Sequence, residues 1–281
     1  MKYFELLNHG TNLCNDNKKE DSVVKILLLD ASKMESHLLL ANLNEEAPRE
    51  IENKFIQNLN KFIFENIPIQ HLTGVEYFFG YEFIVNDSVL IPRFETEELV
   101  SNLLYTYDEV FGGSAVDVVD VGTGSGAIAI SLDLEEKNMN VVATDISSDA
   151  LEVAKDNNKK LGSSVEFILG DMLEPLYGRK FDILVSNPPY IPSDEVVDPL
   201  VFDNEPHIAL FGGSDGLKFY RKILEESHKI LRVPNVIAFE HAYDKGYEMN
   251  ELVKSFFPNS EIRLLKDLQG KDRMTIIINW R

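Results

Sequence analysis

Hydrophobic and polar positions divide this chain into two textures. Through residue 75 the apolar positions recur three and four apart, as in VVKILLLDASKM (23–34) and IENKFIQNLNKFIFENI (51–67), with few Gly or Pro. That is the spacing of one helical face, so residues 1–75 are expected to form a helical domain punctuated by Pro48 and Pro68. From Phe78 the pattern alternates instead. YFFGYEFIVNDSVLIP (77–92) sets apolar and polar residues in turn around Asn86-Asp87, a favoured turn pair. A β-hairpin linker over residues 76–94, turning at that pair, is the expectation.

From residue 95 to 281 short apolar runs alternate with helical ones. Strands are predicted at 115–122, 140–146, 165–171, 181–187 and 235–241, with helices at 95–110, 127–137, 147–162, 216–232 and 245–257 between them. Repeated β-α units of this kind build a parallel sheet with helices on both faces, an α/β fold. The last two strands, 261–268 and 273–280, are joined by the polar QGKD and read as an antiparallel hairpin at one edge.

Two strand ends carry candidate chemistry. After the first strand of the array, VGTGSGA brings Gly122, Thr123, Gly124, Ser125 and Gly126 into the opening of a helix. Glycines there let a ligand approach the backbone. Asp145 ends the next strand, about 20 residues on, where an acidic group accepts ribose hydroxyls. Together they point to a nucleoside-containing cofactor. Gly122, Gly124 and Ala127 also satisfy the dinucleotide pattern, so NAD competes at this point; the G-x-G-x-G form and Asp120 lean to S-adenosylmethionine. Asp171 and Met172, ending the third strand, are placed to meet an adenine edge and face.

The second strand end is VSNPPYIP (185–192). Prolines cannot donate a backbone N–H, so Pro188 and Pro189 end the ladder and leave carbonyls free. An amide or exocyclic amine nitrogen is a poor nucleophile because its lone pair is delocalised. The Asn187 side-chain carbonyl and the Pro188 backbone carbonyl can orient its two hydrogens and favour an sp3-like transition state. Tyr190 offers a flat face for a planar group. A carboxylate would meet acceptors facing acceptors, which gives selectivity for amide over acid. Arg93, Glu95 and Glu97 shape the site mouth or pair with one another, and Glu240 ends a strand near the site or simply lies in solvent.

NPPY after a G-x-G-x-G loop resembles the amino-group methyltransferases, both DNA adenine-N6 and protein glutamine-N5 enzymes. Four further stretches resemble the second group, the PrmC/HemK family of release-factor glutamine methyltransferases: 69–100, 120–131, NEPHIALFGGSDGLKFYRKI (204–223) and DLQGKDR (267–273). The resemblance runs from about Pro68 to the end. It implies a class I, Rossmann-like methyltransferase sheet with an N-terminal helical domain and a hairpin linker. It implies that Gly122–Gly126 surround the methionine part of S-adenosylmethionine, that Asp145 holds the ribose and that Met172 lies near the adenine. Asn187 would touch cofactor and substrate, and NPPY would bind the glutamine amide of the Gly-Gly-Gln loop of class I peptide-chain release factors. The helical domain would help grip that partner, and the enzyme would be a monomer. The chain departs from the family at Phe94, where proline is usual, at Met172, often aromatic, and over 241–245, which lacks the usual glycine and glutamine. None of these touches NPPY.

Composition narrows the competitors. The 47 acidic against 27 basic residues leave a net charge of −20, which disfavours the nucleic-acid amino-methyltransferase reading and direct nucleic-acid partners. The single cysteine offers no disulfide or metal cluster, and the six histidines lack metal spacing. No apolar run is long enough for a membrane span, and the first residues do not resemble a signal peptide, so a cytoplasmic protein is expected. A release-factor-binding module without catalysis remains the non-enzymatic alternative.

Overall fold

The computed structural model describes residues 1–280. They divide into two compact units, Met1–Val75 with Asp198–Asn204, and Glu76–Val197 with Glu205 onward.

The first unit is helical: α1 (Tyr3–Asp16), α2 (Ser22–Ser32), α3 (Ser36–Ala41), α4 (Arg49–Phe64) and α5 (Ile69–Thr73). Their apolar stripes meet in one core that includes Leu6, Leu27, Leu28, Phe55 and Leu59. Gly10 makes the α1–α2 approach possible, since a Cβ there would stand 2.6 Å from a Val24 methyl.

The second unit opens with the hairpin β1 (Val75–Phe78) and β2 (Tyr81–Ile84). Its turn is not at Asn86-Asp87. It lies at Phe79-Gly80, where φ is 51° and 81°, the positive pair that a two-residue hairpin turn requires. Phenylalanine accepts that conformation because tertiary contacts hold it. Its N–H donates to Glu97 Oε1 at 2.9 Å, and its ring packs against the core. Asn86 serves a local turn further on, its side chain accepting from Ser88 N.

Then come α6 (Phe94–Phe111), β3 (Val116–Val121), α7 (Ala127–Glu135), β4 (Met139–Asp145), α8 (Ser148–Leu161), β5 (Glu166–Leu169) and β6 (Phe181–Ser186). After one turn of helix that belongs to the first unit, α9 (Pro199–Phe202), follow α10 (Lys218–Glu226), β7 (Leu231–Glu240), α11 (Gly246–Phe256), β8 (Glu261–Lys266) and β9 (Asp272–Asn279). Local signals set several ends. The Ser147 hydroxyl accepts from Ala150 N to cap α8, and Gly162 closes it at φ 73°.

Seven strands form one sheet in the order β5-β4-β3-β6-β7-β9-β8. β5, β4, β3, β6 and β7 are parallel, and β9 and β8 are antiparallel at one edge, as the sequence predicts. Apolar residues bury both sheet faces, in one cluster with α6 and α7 and another with α10 and α11. The chain leaves β3 towards β4 on one side and arrives at β6 on the other. The strand order therefore reverses between β3 and β6, and a crevice opens beyond their carboxyl ends.

Candidate active site

The two chemistry-bearing loops flank that crevice. The glycine loop follows β3 and NPPY follows β6, and the strands are in register with Asp120 opposite Val185. Where they part, the Ser186 hydroxyl donates to the Val121 carbonyl at 2.6 Å and ties the loops together.

Backbone hydrogen bonds shape the glycine loop. Gly122 N and Thr123 N both donate to the Thr144 carbonyl, at 2.8 and 3.0 Å. The three glycines have φ of 77°, 56° and 83°, which side chains strain to adopt. Their surroundings differ. A Cβ on Gly126 would press on Ile130 and Ala154, so this glycine serves helix packing; at Gly122 and Gly124 a Cβ would meet nothing within 4 Å. Asp145 supports the loop directly, with Oδ2 accepting from Gly124 N at 2.8 Å and Oδ1 from Ser147 N at 2.9 Å. Burial pushes its carboxyl up from the ordinary range, opposed by the N–H groups of Ser147, Gly124 and Ile146. Behind it Asp120 accepts the Thr123 hydroxyl at 2.6 Å, and complete burial pushes it up to about 7 despite that bond.

A cavity of about 380 Å³ fills the crevice. Gly122, Thr123, Gly124, Ser125, Asp145, Asp171, Met172, Asn187 and Pro189 all line it, bringing together nine positions that lie on four strand ends. Gly126, Pro188 and Tyr190 do not line it. Met172 takes φ 52°, and its carbonyl accepts the Thr144 hydroxyl, which turns the chain into the cavity wall. Asp171 is held by Lys222 Nζ at 2.5 Å. Tyr190 is partly buried beside the core, and burial pushes its hydroxyl up to about 12. The residue after it is strapped to a later segment: Ile191 N donates to the Leu210 carbonyl and Gly212 N to the Ile191 carbonyl.

Several wall residues escaped the sequence reading. Phe219 and Lys222 reach the cavity from α10, and Ile146 follows Asp145 into it. The three-residue spacing of Phe219 and Lys222 on an amphipathic helix was the available signal. Arg93 pairs with neither Glu95 nor Glu97; it binds Glu205 Oε1 at 2.5 Å, while Glu205 Oε2 accepts from Ile91 N. Glu240 is not in solvent either. It is 2% exposed, and its Oε2 accepts the hydroxyl of Thr96, another lining residue, at 2.6 Å. Thr96 Oγ1 in turn lies 3.2 Å from Asn187 Nδ2. Among the described residues no His/Cys/Asp/Glu group could hold a metal ion, and no helix is long and apolar enough to cross a membrane.

Sheet order, glycine loop and crevice define a Rossmann-like methyltransferase. The family described as "Methyltransferase small domain" matches residues 96–203. The crystal structure of a methyltransferase from Pyrococcus furiosus shares the fold, with a TM-score of 0.52 at 18% identity over 82% of this chain and 98% of that one. Much nearer in sequence are proteins named release factor glutamine methyltransferase. The one from Bacillus cereus is 41% identical over 278 residues, 98% of each chain. The one from Bacillus subtilis is 42% identical over 275 residues, 96% of this chain and 95% of that one. The chain belongs to the release factor glutamine methyltransferase family.

Proposed function

We propose that this protein transfers a methyl group from S-adenosylmethionine to the side-chain amide nitrogen (N5) of the glutamine in the Gly-Gly-Gln motif of class I peptide-chain release factors, tuning translation termination. The observation that carries this reading is the Asn187 carboxamide at the end of β6, on the wall of a cavity that the glycine loop and Asp145 also line.

The residues present suit S-adenosylmethionine. Gly122 and Gly124 leave open space where a side chain would stand, room for the methionine part against the backbone. The half-buried Asp145 carboxylate, whose two oxygens each keep a lone pair beyond the Gly124 and Ser147 bonds, is an acceptor for ribose hydroxyls, and Asp171 and Met172 supply an edge and an apolar surface for adenine. When bound, the cofactor supplies an electrophilic methyl group on a sulfonium. The protein's task is to prepare the nitrogen. Asn187 Oδ1, on the cavity wall, and the carbonyl of Pro188, which stands between the lining residues Asn187 and Pro189, accept the two amide hydrogens and favour an sp3-like nitrogen. Pro189 has no N–H to compete for the Pro188 carbonyl. Tyr190, packed beside the core and followed by the strapped Ile191, offers its flat face to the planar amide. The proton leaves after transfer, so no general base is required. A glutamate in place of glutamine presents oxygens to these oxygens and is refused.

The helical unit would contribute to gripping the release factor. The enzyme is read as cytosolic and monomeric, without a nucleic-acid partner, in keeping with its net charge of −20. The test is transfer of labelled methyl to purified release factor carrying Gly-Gly-Gln or Gly-Gly-Glu. Label on the first alone is expected. Label on DNA or RNA instead would keep the NH2 clamp and overturn the substrate.

A further inference from the structure

One contact in the site is explained by neither the glycine loop nor NPPY. Thr96 lies in the first turn of α6, 5% exposed, and its hydroxyl donates to Glu240 at the end of β7. The same oxygen meets Asn187 Nδ2. A hydroxyl has one proton. With that proton on the carboxylate, Thr96 Oγ1 faces Asn187 only as an acceptor, and the amide must present its NH2 there. The Asn187 amide also acts on Glu240, favouring the carboxylate form, so both neighbours on that side call for a donor. Oδ1, the other arm of the carboxamide, is turned away from Thr96.

We propose that Glu240 and Thr96 are positioning residues that fix the polarity of the Asn187 carboxamide, so that its carbonyl oxygen is what the substrate meets. The inference rests on the proposed function, in which that oxygen accepts a hydrogen of the substrate NH2. A reversed Asn187 would offer NH2 to NH2 and lose its preference for an amide over an acid. The sequence neighbours of Asn187 cannot set its polarity; a carboxylate 53 positions later and a hydroxyl 91 positions earlier do.

The device depends on the charge of Glu240. Protonated, Glu240 can donate to Thr96, freeing the threonine hydroxyl to donate to Oδ1 of a reversed Asn187 amide. The groups facing Glu240 are Thr96 and Glu95 from α6, Arg273 from β9, Asn187 and Tyr190 from the β6 loop, and Tyr220 from α10, whose hydroxyl donates to the Glu240 carbonyl. Burial lowers the pKa of His241, next on the chain. Burial raises Glu240 to about 7, opposed by Thr96 and Arg273.

The experiment compares wild type with Thr96→Val, Thr96→Ser and Glu240→Gln. It follows kcat and KM on Gly-Gly-Gln release factor, S-adenosylmethionine affinity, and the side-chain amide signals of 15N-asparagine-labelled enzyme, with Asn187→Ala identifying the relevant pair. Thr96→Val is expected to lower kcat on the order of 30-fold or more while KM and cofactor affinity move less than about threefold. Thr96→Ser should restore most of the loss. The Asn187 NH2 signals should shift with a midpoint near 7 in wild type, the value burial sets for Glu240, and stay flat in Glu240→Gln. A folded, cofactor-binding Thr96→Val with wild-type kcat, or amide signals indifferent to Glu240→Gln, would overturn the inference. If Thr96→Val does not fold, the amide signals and Glu240→Gln decide. A wild type that leaves release factor unmethylated yet shows the amide shift would sink the proposed function and spare the positioning relay.

Discussion

The loops after β3 and β6 stand side by side at one crevice and are built in opposite ways. The glycine loop is made of backbone. Its shape comes from positive φ angles and from N–H groups donated to Thr144 and Asp145, and Gly122 and Gly124 leave open space where side chains would stand. The NPPY loop depends on one carboxamide whose orientation is imposed by distant groups, and on a strap from 210–213 behind it. The first suits a ligand recognised along its length. The second suits a reaction at one nitrogen, where a reversed dipole would be fatal. A loop of backbone can be specified by five adjacent residues. A loop whose meaning lies in one side chain needs partners from three other elements.

Substitutions can break this contrast. The largest effect is expected for Asn187→Ala. It should cost about 10²–10³ in kcat, as the loss of one pre-organised charge-stabilising group does, while cofactor affinity changes much less. Kinetics beside a cofactor titration would separate the two; equal losses would merge the loops' roles.

Next comes pH dependence, which belongs to the glycine-loop side. Asp120 is raised from 3.8 to about 7 by burial, so between those values the native state holds a proton that the unfolded chain releases. Stability is therefore greatest at low pH within this window and falls as pH rises towards 7, by an amount on the order of a few kcal/mol. Asp120→Asn should flatten the fall in denaturant midpoint between pH 5 and 8, with Glu240 keeping its own share. An unchanged profile would remove Asp120 as the cause.

Gly212→Ala tests the strap. A Cβ there would stand 2.5 Å from the Pro189 carbonyl oxygen and 2.8 Å from Tyr190 Cα, both backbone atoms that cannot swing aside. A loss of about 2 kcal/mol in stability is expected, together with lower kcat, and urea melts with activity assays would read both. The smallest effect is expected for Gly124→Ala. It places a side chain at φ 56° with nothing within 4 Å, so stability should fall by only about 1 kcal/mol. Affinity for S-adenosylmethionine should fall further, because the methyl takes ligand space. If stability fell and affinity did not, the open side of that glycine would not be where the cofactor lies.

Particular elements show what could be read in advance. The parallel strands were legible because each is a short apolar run bounded by turn residues, and the glycine loop, Asp145 and NPPY because each sits at such a run's end. The hairpin turn was misplaced because Asn-Asp has the stronger turn propensity. Contacts from Glu97 and the core hold Phe79 in a conformation that no propensity assigns to phenylalanine. Glu240 left both readings open as a strand-end acid, and Thr96 carried no signal among the charged residues of 93–98.

By itself, then, the sequence determined the α/β alternation and put the glycine loop, Asp145 and NPPY at strand ends, since each rests on neighbours within a few residues and on fixed backbone periodicities. Tertiary structure alone decided which way the Asn187 amide points, what holds Arg93, and that Glu240 is buried. Hydrogen-bond direction depends on which donors and acceptors folding brings within about 3 Å, and no local pattern records that meeting.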